Sequence, residues 1–305
     1  MFHLILVATL LAQAAPVSPA SDADYVPQRV FDTRRGAFTD FESMVADLAR
    51  AQVVFVGEQH DHAGTHRLEQ ALLSGLRRRR VAAAVSFEMF ERDVQGTLDR
   101  YLSGAIEEAE FLKESRPWPR YATDYRPLLE IAKREGWPAV AANVPRRFAS
   151  SVAKSGRAAI DQLASADRLM VAAELQCPHD AYFDRFVQAM NGHGGDAQAR
   201  PAAPTDDEQK ATTDRYYWSQ CVKDETMAEA LATAVAARTG KTGPIVHFTG
   251  AFHSDFGAGT AERTRRRLAG QQVAVVSMLP VADLDTVAPT PDDLKRADFL
   301  VYTLK

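Results

Sequence analysis

The feature that most constrains this 305-residue chain is a series of short, unbroken apolar runs alternating with segments of helical period. Val53-Val54-Phe55-Val56 ends at Gly57, Ala82 to Phe87 ends at Glu88, Ala139 to Ala142 ends at Asn143, and Ile245 to Phe248 ends at Thr249-Gly250. Val273 to Ser277 and Phe299 to Tyr302 extend the series. Runs without polar alternation suit strands buried on both faces, the condition of a parallel sheet. Between the first two, Leu68, Leu72 and Leu76 recur every fourth residue through Thr65 to Arg80, which is one helical face. Further helices are predicted at 93–102, 106–113, 128–135, 180–190, 206–238 and 261–268. Strands alternating with helices predict an α/β fold, with a mostly parallel central sheet flanked by helices. The segment around 93–135 reads as a helical insertion. The Gly-, Ala- and Pro-rich stretch 191–204 is expected to be a mobile loop.

The N-terminus bears on compartment. An apolar run from Phe2 to Leu11 precedes Ala12-Gln13-Ala14, a small-x-small pattern. The run is much shorter than the roughly 20 residues a membrane span requires. Residues 1–15 are therefore expected to be a signal peptide and 16–37 a polar N-terminal segment. Residues 38–305 are expected to form one domain. The mature product is expected to be exported, periplasmic or secreted, and soluble, without a membrane span. In that oxidising setting Cys177 and Cys221 are a candidate disulfide, with two buried thiols as the alternative. The formal net charge of −4 gives no electrostatic case for nucleic acid or an anionic membrane. The one basic block, Arg77 to Arg80, closes a helical pattern, where cations suit the C-terminus.

Chemistry is expected where parallel strands end, at their carboxyl edge. The first strand is followed by Gly57-Glu58-Gln59-His60 and a later one by Gly250-Ala251-Phe252-His253. A glycine permits a sharp turn at the tip, and the histidine three residues on is then aimed over the sheet edge. Glu88 and Asn143 stand at two other tips, with Arg146 just beyond. His62 and His66 lie four apart, a metal-ligand spacing on a helix, or equally a solvated face. His247 lies inside a strand and reads as a core histidine, and His179 and His193 read as loop residues. Asp224 falls on the apolar arc of the long helix, where an unpaired carboxylate would be costly. It should therefore meet a cation or donor, with Arg146 or a site histidine as candidates. Were that partner one ring nitrogen of His253, the other would be oriented toward a ligand. Replacing His253 with alanine is expected to cost little stability, because strand-tip loops contribute little core.

Together these residues resemble a known family. Gly57-Glu58-Gln59-His60-Asp61 with His66, Phe87-Glu88-Met89-Phe90 and Trp118 with Asp124-Tyr125-Arg126-Pro127-Leu128 are similar, in order and spacing, to motifs of the ChaN-like haem-binding uptake proteins. So are Ala141 to Arg146, Asp224 to Ala228 and Gly250 to His253. The resemblance covers about residues 38–279 and extends in arrangement to Tiki-type metalloproteases and erythromycin esterases. It implies an α/β fold, export, and a haem-binding protein of iron uptake, with haem as cofactor and partner and a homodimer left open. Haem requires an apolar slot, an axial donor and cations for its propionates. The candidate set is His253, His60, Tyr125, Arg146, Asn143, Glu88 and Asp224, with His60 and His253 as metal donors. Tyr121 is a further phenolate candidate, Arg126 a further propionate partner, and Phe90, Trp118 and Phe252 supply aromatic surface. No Cys-x-x-Cys-His is present, which excludes c-type attachment. The competing function is a hydrolase using Glu58, His60, Glu88 and His253, with or without a divalent metal.

Overall fold

A computed structural model describes residues 25–192, 205–238, 240 and 243–305. The expected signal peptide, His193 and nearly all of the expected mobile loop lie outside these residues. Eight strands form one sheet: β1 (Gln28–Asp32), β2 (Ala37–Thr39), β3 (Val53–Glu58), β4 (Ala84–Glu91), β5 (Ala139–Asn143), β6 (Ile245–Gly250), β7 (Val273–Val281) and β8 (Phe299–Leu304), in the spatial order β2-β1-β8-β7-β3-β6-β4-β5. From β8 to β5 every neighbouring pair is parallel. Val53 to Phe55 and Ile245 to Phe248 are buried throughout, as two-sided cover demands.

The expected polar segment is not wholly irregular. Within it, β1 pairs antiparallel with β8, and β2 with β1. The reason is local: Val30 and Phe31 are buried, but Gln28, Arg29 and Asp32 surround them and mask the strand signal.

The helices are α1 (Phe41–Leu48), α2 (Ala63–Arg78), α3 (Gln95–Leu102), α4 (Glu108–Ser115), α5 (Arg126–Glu135), α6 (Arg146–Ser155), the short α7 (Ala158–Asp161) and α8 (Ser165–Arg168), α9 (Ala181–Gly192), α10 (Asp206–Ala237), α11 (Gly259–Arg267) and α12 (Asp293–Arg296). One face of the sheet packs with Leu68, Leu72 and Leu76 of α2 and with the α3–α5 insertion into a large core. On the other, Leu231 of α10 and Ala261 of α11 close over Val53, Phe55 and Val275. Helix α10 is a 32-residue insertion started by a capping box, in which Thr205 and Glu208 satisfy each other's backbone N–H groups. Its middle, from Tyr217 to Leu231, carries most of its buried residues, and a disulfide joins Cys221 to Cys177, with Cα atoms 5.8 Å apart.

Charge inside the fold is compensated. Glu225 of α10 is fully buried and pairs with Arg263, Arg266 and Arg267 of α11 at 3.4, 2.6 and 2.6 Å. A lone buried carboxylate would cost several kcal/mol, so three guanidinium groups fix the α10–α11 contact as well as neutralise it. Among the described residues no helix is long and apolar enough to cross a membrane.

Candidate functional site

The two Gly-x-x-His tips stand side by side, because β3 and β6 are adjacent and Glu58 is in register with Gly250. Their glycines do not serve as sharp left-handed turns. Gly250 has φ −56°, and neither glycine is among the residues with positive φ. Both are needed for close approach. A Cβ on Gly250 would lie 2.7 Å from His60 Nε2, and one on Gly57 would lie 2.7 Å from Ser254 Oγ and 3.1 Å from Ala251 Cα. The glycine of each motif thus makes room for the other motif.

His60 sits at the mouth of the site, with 43% of its side chain exposed. Its Nδ1 is held by Glu58 Oε1 at 2.6 Å, and its ring meets Trp118 edge-on at 5.3 Å. Nε2 makes no hydrogen bond among the described residues. Burial disfavours the charged ring, but the Glu58 hydrogen bond and the Glu88 and Glu58 charges outweigh it and raise the pKa.

His253 is 5% exposed. Its Nδ1 donates to Asp224 Oδ1 at 2.6 Å, its Nε2 faces Glu88 Oε1 at 3.3 Å, and the amide of Gln220 abuts the ring at 3.2 Å. Burial opposes protonation, yet the two carboxylates prevail and raise the pKa to about 10. The ring is an imidazolium at neutral pH. Glu88 is held in reserve for it by the sheet. The β4–β5 register shifts between Phe87 and Glu91, and Glu88 Oε2 accepts from Gly250 N and Thr249 Oγ1, both at 2.8 Å. Burial would raise the Glu88 pKa, but His253, His60 and the Gly250 N–H drive it far below the usual carboxylate range. Asp224 accepts further from Tyr182 and Thr260 hydroxyls at 2.8 Å each. Asp224 therefore meets a site histidine, not Arg146. Removing His253 would take a shared cation from two buried carboxylates, which argues for a larger stability cost than a strand-tip loop alone implies.

Other expected ligand contacts have structural occupations. Tyr125 is 2% exposed and donates its hydroxyl to Glu58 Oε1 at 2.9 Å. Asn143 donates to the Glu88 carbonyl and accepts from Val144 N, both at 2.9 Å, which uses both ends of its amide. Tyr121 and Phe90 belong to the core, and Arg126 is paired with Glu108. Arg146 is exposed at the start of α6, beside Glu91, Arg116, Arg147 and Ser150 in a surface cavity. Phe252 packs against Tyr182, with ring centroids 5.1 Å apart.

His62 and His66 do not share a helical face. His62 is the N-cap of α2, accepting from Thr65 N. His66 is buried at 1% exposure among Glu58, Glu69 and Asp124. His247 is a core histidine bound to Ser86 Oγ at 2.9 Å, and desolvation lowers its pKa to about 3. His179 pairs at the surface with Asp214. Sequence reasoning did not assign Gln220, Tyr182 or Thr260. Gln220 was findable, since it lies one turn before Asp224 on α10.

No curated protein sequence matches it significantly. Among solved structures, the fold is similar to one described as cofacial heme binding to ChaN of Campylobacter jejuni. It is 16% identical, with TM-score 0.63, over 91% of this chain and 97% of that one. The type III effector HopBA1 (10% identity, TM-score 0.49, over 94% of this chain and 100% of that one) and a mutant erythromycin esterase, EreC, in its open conformation (14%, 0.44, over 91% and 83%) lie further off. The family model described as "Haem-binding uptake, Tiki superfamily, ChaN" matches residues 44–264, so the chain belongs to the ChaN-like family of the Tiki superfamily.

Proposed function

We propose that this chain is an exported haem-binding protein of iron uptake, with His60 as the side chain presented to the haem iron. One observation carries the proposal. His60 alone of the two tip histidines is exposed, and its Nε2 makes no hydrogen bond among the described residues while Glu58 fixes Nδ1. A carboxylate on one ring nitrogen orients the ring and makes the other a stronger donor. His253 is a poor axial donor by comparison, because both nitrogens are engaged by carboxylates.

Two further residues support haem as the ligand. Trp118 is partly buried beside His60 and offers an aromatic edge to a flat macrocycle, and Arg146 is exposed and makes no ion pair among the described residues. The cofactor itself would supply an iron centre open to histidine ligation. The C. jejuni relative, described as binding heme cofacially, supports the class of ligand.

A hydrolase is the competing function, and the charge state of His253 weighs against that residue as its general base. A general base must be neutral near its working pH, whereas His253 holds its proton up to about pH 10. Hemin titration of the purified mature chain tests the proposal. The expected result is a saturating Soret shift at fixed stoichiometry. A linear, unsaturated rise equal to that with serum-free buffer would remove haem as the ligand.

A further inference from the structure

Behind His60, on the far side of Glu58, lies a second group of charged side chains that the haem site does not use. Glu58, His66 and Glu69 each offer one ligand atom, all within 4.8 Å of one another, and none is more than 2% exposed. His66 Nδ1 is 3.0 Å from Glu69 Oε2 and 3.6 Å from Glu58 Oε2. Two donors bound to one tetrahedral Zn²⁺ at about 2.0–2.1 Å stand about 3.3 Å apart, so both separations are those of neighbouring ligands.

Two further observations point to a cation. Glu58 Oε2 and Glu69 Oε1 are buried without a hydrogen-bond partner. A buried carboxylate oxygen left without a donor is costly. The orientation of His66 is also set. Its Nε2 donates to the His60 carbonyl at 3.1 Å, with Asp124 Oδ2 at 3.3 Å. Nδ1 is thereby directed at the two glutamates, where an ion would take the place of a proton. Metal-bound histidines are commonly oriented in this way, by a carbonyl or carboxylate on the other nitrogen. Asp124 is itself balanced by Arg120 at 2.8 Å, whereas Glu69 has no cationic partner beyond His66 among the described residues.

We infer that Glu58, Glu69 and His66 form a buried binding site for a divalent transition-metal ion, separate from the exposed His60 face. One nitrogen and two carboxylates suit Zn²⁺, Mn²⁺ or Fe²⁺. Glu58 has one oxygen for each task. Oε1 holds His60 and Tyr125, and Oε2 faces the ion. An ion there would stiffen Glu58 and, through it, the orientation of His60.

Chelator-stripped full-length mature protein, without haem, is titrated with Zn²⁺ alone and with Mn²⁺ alone by calorimetry, and bound metal is counted by mass spectrometry after desalting. The expected result is one ion per chain in the wild type. Glu69→Gln, nearly isosteric, should weaken binding at least 100-fold, and His60→Ala should change it less than threefold. Co²⁺ loading of the wild type gives a readout independent of any variant: d–d bands of moderate intensity, abolished by excess Zn²⁺. No metal uptake by the wild type at 100 µM of either ion would overturn the inference, leaving a shared proton between the two glutamates. Metal binding lost in His60→Ala and kept in Glu69→Gln would overturn it equally, by moving the ion to the His60–His253 face.

Discussion

The two Gly-x-x-His tips have the same spacing, leave adjacent strands at the same sheet edge, and end in opposite environments. After β3 the chain enters α2 through the His62 N-cap, and His60, edge-on to Trp118, keeps 43% of its side chain exposed, with no hydrogen bond to Nε2 among the described residues. After β6 the tip runs beneath α10, where Asp224, Gln220 and Glu88 enclose His253. A motif therefore fixes where a histidine leaves the sheet. The element packed over it decides whether it meets solvent or becomes a buried ion. In this fold the sealed tip is tied into the architecture, and the exposed tip is the one proposed to meet a ligand.

The strongest way to break that contrast is to remove the sealed histidine. His253→Ala leaves Asp224 and Glu88 buried without their shared cation, which is expected to cost about 3–5 kcal/mol. The urea midpoint of the haem-free protein reads it. A loss under 1 kcal/mol would mean that solvent or a rearranged partner reaches both carboxylates. His60→Ala, by comparison, leaves Glu58 Oε1 still bound by Tyr125 and is expected to cost about 1 kcal/mol or less.

A pH series tests the same contrast without removing a side chain. The folded pKa of His253 is raised from 6.5 to about 10. Its contribution is complete below the unfolded value and is lost as pH rises through the folded one. Glu88 and Asp224 are lowered, so their contribution is present above the usual carboxylate range and is lost in acid. Wild-type stability should therefore fall between pH 7 and 10, and the slope should largely vanish in His253→Gln. Equal slopes in both proteins would place the alkaline loss elsewhere.

The parallel strands were legible because two-sided burial writes them as unbroken apolar runs, as in Val53 to Val56. The edge strands β1 and β2 were not, because a polar register around Val30 and Phe31 reads as irregular chain. The tips themselves could be read from Gly57-x-x-His60 and Gly250-x-x-His253. Exposure could not, since it depends on α10, about thirty residues upstream of the second tip, folding back over it. Asp224 announced itself as a carboxylate on an apolar arc. His66 carried the same signal, standing with Glu69 among Leu68, Leu72 and Leu73 on the buried side of α2. Its spacing from His62 drew attention to the wrong pair.

The account turns on which histidine meets the ligand, and a hemin titration of three proteins tests that directly. Wild type, His60→Ala and His253→Gln are followed by Soret absorbance at pH 7, with folding verified by near-ultraviolet dichroism at the same concentration. The account predicts that His60→Ala shifts the Soret maximum and weakens hemin binding at least tenfold, while folded His253→Gln keeps the wild-type spectrum. An unchanged spectrum in His60→Ala together with an altered one in His253→Gln would contradict it.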